Sequence, residues 1–172
     1  MVTPSPAAAA RGRGSGRPRA QRGGPRVAAL EIGGWDTHAG QVNRILGPVR
    51  ALDAGLAQLK ASLGEHWRQT AVLVITEFGR TARVNGNLGT DHGTGGVAFL
   101  AGGAVAGGRV LADWPGLGPG RLFENRDLQP TADLRSVAKA LLKDHLRLND
   151  RAVSAAFPGS EEAAPLRGLL RV

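Results

Sequence analysis

A partial doubly wound α/β fold, with a mostly parallel sheet and flanking helices, is predicted by three observations. The run AVLVIT, residues 71–76, is apolar and rich in β-branched side chains, as a buried strand is. It is preceded by a long amphipathic helical pattern and, before that, by the shorter apolar run VAALEI at 27–32, so strand, helix and strand follow in βαβ order. The polar clusters WDTH, EFGR and TDHG all stand at strand ends, two just after a run and one at the entry to the next. Ligands of open parallel sheets bind outside the carboxyl ends of the strands.

The elements follow in order. Residues 1–26 carry six arginines, no acid and no aromatic, and their apolar residues are mostly alanine. Such a segment cannot bury enough area to offset its ordering entropy, which predicts a disordered tail. The tail also accounts for most of the net charge of +8: the chain has 22 basic and 14 acidic side chains, and without the tail 16 stand against 14. An arginine-rich tail can hold phosphates by counterion release, but it has no stacking aromatics and no basic stripe follows, so nucleic acid is not the expected partner.

VAALEI reads as the first strand and GGWDTHAG as the loop at its end. Val42, Ile45, Leu46, Val49, Leu52, Leu56, Leu59 and Leu63 recur at three- and four-residue steps, an apolar stripe over about five turns. Pro48 should bend this helix or mark its start, and Gly64 should stop it. AVLVIT is the second strand and residues 97–100 the third. GGAVAGG reads as a hairpin turn leading to a short strand near Val110, and a proline- and glycine-rich loop covers 113–130. ADLRSVAKALLKDHLRL predicts a closing helix capped by Asp133 or Thr131, with Leu134, Val137, Leu141 and Leu142 inward. Three segments result: the tail, a domain over 27–150, and a C-terminal extension over 151–172.

With no cysteine, disulfides, thiolate metal sites and cysteine nucleophiles are excluded. No apolar run is long enough for a membrane span, and none follows the N-terminal arginines as an export signal requires.

The strand ends carry the chemistry. Asp36 and His38 follow the first strand, Glu77 the second, and Asp91 and His92 enter the third. Their mixture of oxygen and nitrogen suits a divalent metal, Zn²⁺ or Mn²⁺ rather than Ca²⁺. Taken singly, each has a structural reading: Asp36 as a turn cap, Glu77 paired with Arg80 or Arg83, Asp91 and His92 as a hydrogen-bonded dyad. Acids at buried strand ends are costly unless paired or metal-bound, and meeting at one edge favours the metal. Arg80 is a candidate contact for a substrate oxyanion. His66 and His145 read as structural, and the glycines of GGAVAGG lack the lysine and helix of a phosphate loop.

GGWDTHAGQ, the strand with EFGRT, the asparagine followed by GTDHG, GGAVAGG and TADLRSVAKALL, in that order, resemble the C-terminal portion of the bacterial "domain of unknown function 1501" family over about residues 27–148. That family is grouped with the alkaline phosphatase and sulfatase-like superfamily. The resemblance implies an alkaline-phosphatase-like core and a centre of one or two metals that hydrolyses small phosphate or sulfate esters, with Asp36, His38, Asp91 and His92 as ligands. Glu77 stands where many superfamily members have an aspartate followed by histidine; here Phe78 follows. Superfamily hydrolases place their nucleophile in an N-terminal half that this sequence does not resemble. The expectation is therefore a C-terminal fragment of a hydrolase-like domain with its metal residues retained, or else a non-catalytic, metal-stabilised binding module. The resemblance implies an exported, periplasmic protein, since many family members carry a twin-arginine signal, which residues 1–26 do not resemble.

Overall fold

A computed structural model describes residues 26–171, so the tail expected over 1–26 lies outside the described residues except for Arg26. The chain divides after Glu31. Residues 27–32 form no strand, and Val27 and Leu30 are 69% and 85% exposed, which corrects the predicted first strand. Ala28 and Ala29 at its centre are poor strand formers with little area to bury.

From Ile32 onward helices and short strands mix. A first turn, α1 (Gln41–Arg44), is separated at Ile45 from α2 (Leu46–Leu63). Pro48 explains the break: it has no N–H to give the Arg44 carbonyl, so the continuous helix begins with it in the first turn. Gly64, at φ 53°, ends α2 as its sequence position predicts. Leu52, Leu56, Leu59 and Leu63 of the stripe are half-buried, whereas Val42, Leu46 and Val49 are exposed.

After a 3₁₀ turn over Gly64–Gln69 come β1 (Val72–Val74), β2 (Gly79–Arg80), β3 (His92–Gly93) and β4 (Phe99–Ala101). β1 pairs antiparallel with β4, Val72 opposite Ala101 and Val74 opposite Phe99. β2 pairs antiparallel with β3, Arg80 opposite His92. The expected mostly parallel sheet is therefore corrected: among the described residues there are two two-stranded antiparallel sheets. A parallel pair needs a crossover, usually a helix, and residues 75–98 hold none, so the chain returns by reversal.

GGAVAGG is not a hairpin either. A Cβ at Gly102 would collide with the Thr70 carbonyl, so the missing side chain lets the backbone press on the end of the 3₁₀ turn. Val105 then bridges to Leu170. No strand forms near Val110, which is 90% exposed.

α3 (Leu134–Ala140) is capped by Asp133, whose side chain accepts from the Arg135 N–H at 2.8 Å. It runs into a π-turn over Leu141–His145 and is followed by α4 (Asp150–Ala156), capped by Asn149. Val137, Leu141 and Leu142 are half-buried, but Leu134, expected inward, is 44% exposed. The buried apolar residues are Val105, Ala140, Val153, Ala163 and Leu169, so residues beyond 150 supply part of the core. Buried Lys139 ties α3 to this segment by donating to the Ser160 carbonyl. Among the described residues no helix is long and apolar enough to cross a membrane.

Candidate metal centre

Two loops build the site. The loop after Ile32 carries Asp36, Thr37 and His38, and the loop joining β2 to β3 carries residues 81–91. Backbone bonds stitch them together: Gly40 N–H to the Asn87 carbonyl at 2.9 Å, Gln41 N–H to the Leu88 carbonyl at 2.9 Å, and Thr90 N–H to the Thr37 carbonyl at 3.3 Å. Gly89 permits this approach, since a Cβ there would collide with the His38 backbone carbonyl. Thr90 is fixed further by the Gln41 side-chain amide, which donates to its Oγ1 at 3.0 Å.

The loops bring three of the five expected ligands together. Asp36 Oδ1 lies 2.9 Å from His38 Nε2 and 2.8 Å from His92 Nε2, and the two imidazole nitrogens are 3.2 Å apart. Ligand atoms about 2.0–2.1 Å from a tetrahedral ion are about 3.3 Å from one another, so the spacing is close to that of three ligands on one zinc-sized ion. The side chains of Asp36, His38 and His92 are 59%, 45% and 51% exposed, which leaves the cluster open to solvent. Among the described residues this is the one group of three or more such side chains.

Asp91 stands one step back. Its Oδ1 is 3.2 Å from His38 Nδ1, on the side of the ring away from the cluster, and accepts from the Asn85 side-chain amide at 2.9 Å. Asp91, expected as a ligand or, in its structural reading, as half of a dyad with His92, is instead paired with His38. Hydrogen bonds from Asn85 and then His38 hold the Asp91 carboxyl below its ordinary value. Asp36 is likewise lowered, first by the His92 hydrogen bond and then by Arg80, against desolvation. Both are thus favoured as carboxylates, the form a metal takes.

Glu77 is exposed and outside the cluster. The chain bends there, held by the Thr76 hydroxyl, which donates to the Phe78 carbonyl at 2.6 Å. It is Phe78 that reaches the site, stacked on the His92 ring with centroids 4.0 Å apart. Arg80, expected to face a substrate or Glu77, instead binds Asp36 Oδ1 at 2.8 Å, the Trp35 carbonyl at 2.7 Å and the Thr90 carbonyl at 2.8 Å. It braces the two loops.

Two residues of consequence escaped the sequence reading. Asn85 spends its whole side-chain amide here: one nitrogen donates to Asp91 and to the His38 carbonyl, and its oxygen accepts from the Asn87 and Gly89 N–H groups. The contact two residues on is an Asx turn, which Asn-Gly-Asn could have signalled. Asp127 is 1% exposed and its Oδ2 accepts from the N–H and the hydroxyl of Thr94, both at 3.0 Å. Nothing local in its loop marks it as buried.

The molecule is thus a mixed α and β domain with an exposed two-nitrogen, one-oxygen cluster held between loops. The chain belongs to the family described as "Protein of unknown function (DUF1501)", whose sequence model matches residues 9–157. No curated protein and no solved structure matches it.

Proposed function

We propose that this chain carries the metal centre of a hydrolase-like domain for phosphate or sulfate esters, related to the alkaline phosphatase and sulfatase-like superfamily. One observation supports this reading above the others: Asp36 Oδ1, His38 Nε2 and His92 Nε2 converge at 2.8–3.2 Å on an open face. These three residues would hold a divalent ion, Zn²⁺ or Mn²⁺ ahead of Ca²⁺ because two donors are imidazoles. When bound, the ion supplies Lewis acidity toward an ester oxygen. Arg80 fixes the Asp36 carboxylate, and Phe78 limits the swing of His92. With Glu77 outside the group, the cluster serves one ion.

A second reading, a metal-stabilised binding module without turnover, is favoured by the state of the nearby hydroxyls. Thr37 is 1% exposed, the Thr90 hydroxyl is engaged by Gln41, and the Thr76 hydroxyl by Phe78. None of them is free to attack an ester. Zinc titration and turnover of aryl phosphate and sulfate, with Zn²⁺ or Mn²⁺ supplied, separate the readings. The expected result is zinc binding that His92→Ala removes, with hydrolysis by this chain no faster than by metal in buffer. Turnover abolished by His92→Ala would establish the hydrolase with an activated water; absence of zinc binding would end both readings.

A further inference from the structure

We propose that Asp91 is a positioning residue and not a metal ligand: held by Asn85, it fixes the His38 imidazole with Nδ1 protonated and Nε2 bare toward Asp36 and His92. A carboxylate only accepts hydrogen bonds, so Asp91 Oδ1, 3.2 Å from Nδ1, and Asp36 Oδ1, 2.9 Å from Nε2, compete for the one proton of a neutral ring; Asp36 Oδ1 already accepts from the Arg80 guanidinium at 2.8 Å, which leaves the proton to Nδ1. The lone pair of Nε2 then points at Asp36 Oδ1, 2.9 Å away, where a cation and not another acceptor belongs. An outer carboxylate that sets the tautomer and raises the basicity of a ligating imidazole is a general feature of metal sites.

Asn85 makes the arrangement specific. Its side-chain nitrogen donates to Asp91 Oδ1 at 2.9 Å and to the His38 backbone carbonyl at 3.0 Å, so one amide sets the carboxylate relative to the residue that it orients. Its oxygen is consumed by the Asn87 and Gly89 N–H groups at 2.9 and 3.1 Å, which fixes the orientation of the amide. The chain thereby spends an aspartate and an asparagine on one ring.

The affinity arm of the test rests on the metal-centre reading; the other arm does not. Nitrogen-15 spectra of histidine-labelled, metal-free protein at mildly alkaline pH should show His38 as the Nδ1–H tautomer. Asp91→Ala should convert that signal to a mixture of tautomers, Asp91→Asn should restore it in part, and Asn85→Ala should move it in the same direction as Asp91→Ala by less. In zinc titration Asp91→Ala should weaken binding by about 10–100-fold, the usual effect of losing an outer partner. X-ray absorption of the bound zinc should show the same two imidazoles in wild type and variant. Loss of binding as complete as in His38→Ala, with an oxygen missing from the ion's shell, would make Asp91 a ligand and overturn the proposal. An unchanged tautomer in Asp91→Ala would overturn it as well. If wild type binds no zinc, the metal reading fails, and the tautomer alone decides whether Asp91 sets the ring.

Discussion

Two aspartates serve the two ends of β3, and they do opposite work. Before β3, Asp91 is 55% exposed on its side chain and shared between an amide and an imidazole. After β3, Asp127 is 1% exposed and closes the N–H and hydroxyl of Thr94, while Thr81, which follows β2, bridges to it. The first carboxylate holds the His38 ring toward the open cluster; the second, buried, accepts from the N–H and hydroxyl of exposed Thr94. Exposure divides the labour: groups around the candidate ion stay open and contribute little to folding, and the cost of holding them falls on the buried side.

The largest effect expected from this division is on metal affinity. His38→Ala or His92→Ala removes one of three candidate ligands, so under the metal-centre reading zinc affinity should fall by more than about 100-fold. Thermal stability should change little, since substitutions of part-exposed side chains without buried partners usually stay within about 0.5 kcal/mol. Calorimetric titration and melting curves measure both. A large fall in melting temperature in either variant would show that the cluster holds the loops together, and the contrast with Asp127 would collapse.

Asp127→Ala should do the reverse. It removes the buried acceptor of the Thr94 N–H and hydroxyl, and because Thr94 itself is exposed, water replaces part of the loss, so the cost is about 1–2 kcal/mol. Urea unfolding reads the loss, and zinc affinity measured well below the unfolding midpoint should stay within a few-fold of wild type. A stability change under about 0.5 kcal/mol would mean that the Asp127 carboxylate is dispensable and that β3 is held from its other end.

How much of this was legible depends on the range of the interaction that decides each feature. Pro48, Gly64 and Asp133 act through their own backbone, and the helix start, stop and cap they predict are where the structure has them. The Asp-Thr-His and Asp-His pairs were readable as metal-binding types, and the loops do bring Asp36, His38 and His92 together. Glu77 stands outside the cluster because a bend held by Thr76 brings Phe78, not the carboxylate, against His92. The parallel sheet failed on pairing, which strand patterns leave open: the same apolar residues of β1 fit either direction, and only the helix-free return to β4 decides. Asp127 is bonded to Thr94, 33 residues away in the chain, a contact that no local pattern could reveal.

A smaller effect follows from pH. Burial, the largest single influence on the Asp127 carboxyl, raises its pKa, but Arg126 and the Thr94 donors together outweigh it, and the group lies below its ordinary value. A folded-state pKa depressed below the unfolded one, about 3.9, contributes stability that is present above that value and lost as pH falls through the folded one. Melting temperature should therefore drop between about pH 5 and pH 2, less steeply in Asp127→Asn than in wild type. Asp36 and Asp91 are lowered too, so part of the slope should survive the substitution. Parallel slopes in the two proteins would remove Asp127 from the acid transition.

The smallest change expected is at Thr37, which lies between the two cluster residues of the Asp-Thr-His motif yet belongs with Asp127 by burial. It is 1% exposed, and its hydroxyl has no hydrogen-bond partner among the described residues. A buried hydroxyl left unpaired costs free energy, whereas a methyl of similar size at the same place does not. Thr37→Val should therefore be neutral or stabilising by up to about 1 kcal/mol in urea unfolding, with zinc affinity unchanged. The loops touch through the Thr37 backbone carbonyl, which accepts from Thr90 and is unaffected by the substitution. A loss of more than about 1 kcal/mol would show that the hydroxyl has a bonded partner, such as a buried water, and that the Asp36–His38 loop carries a structural polar contact like the one Asp127 makes on the far side of β3.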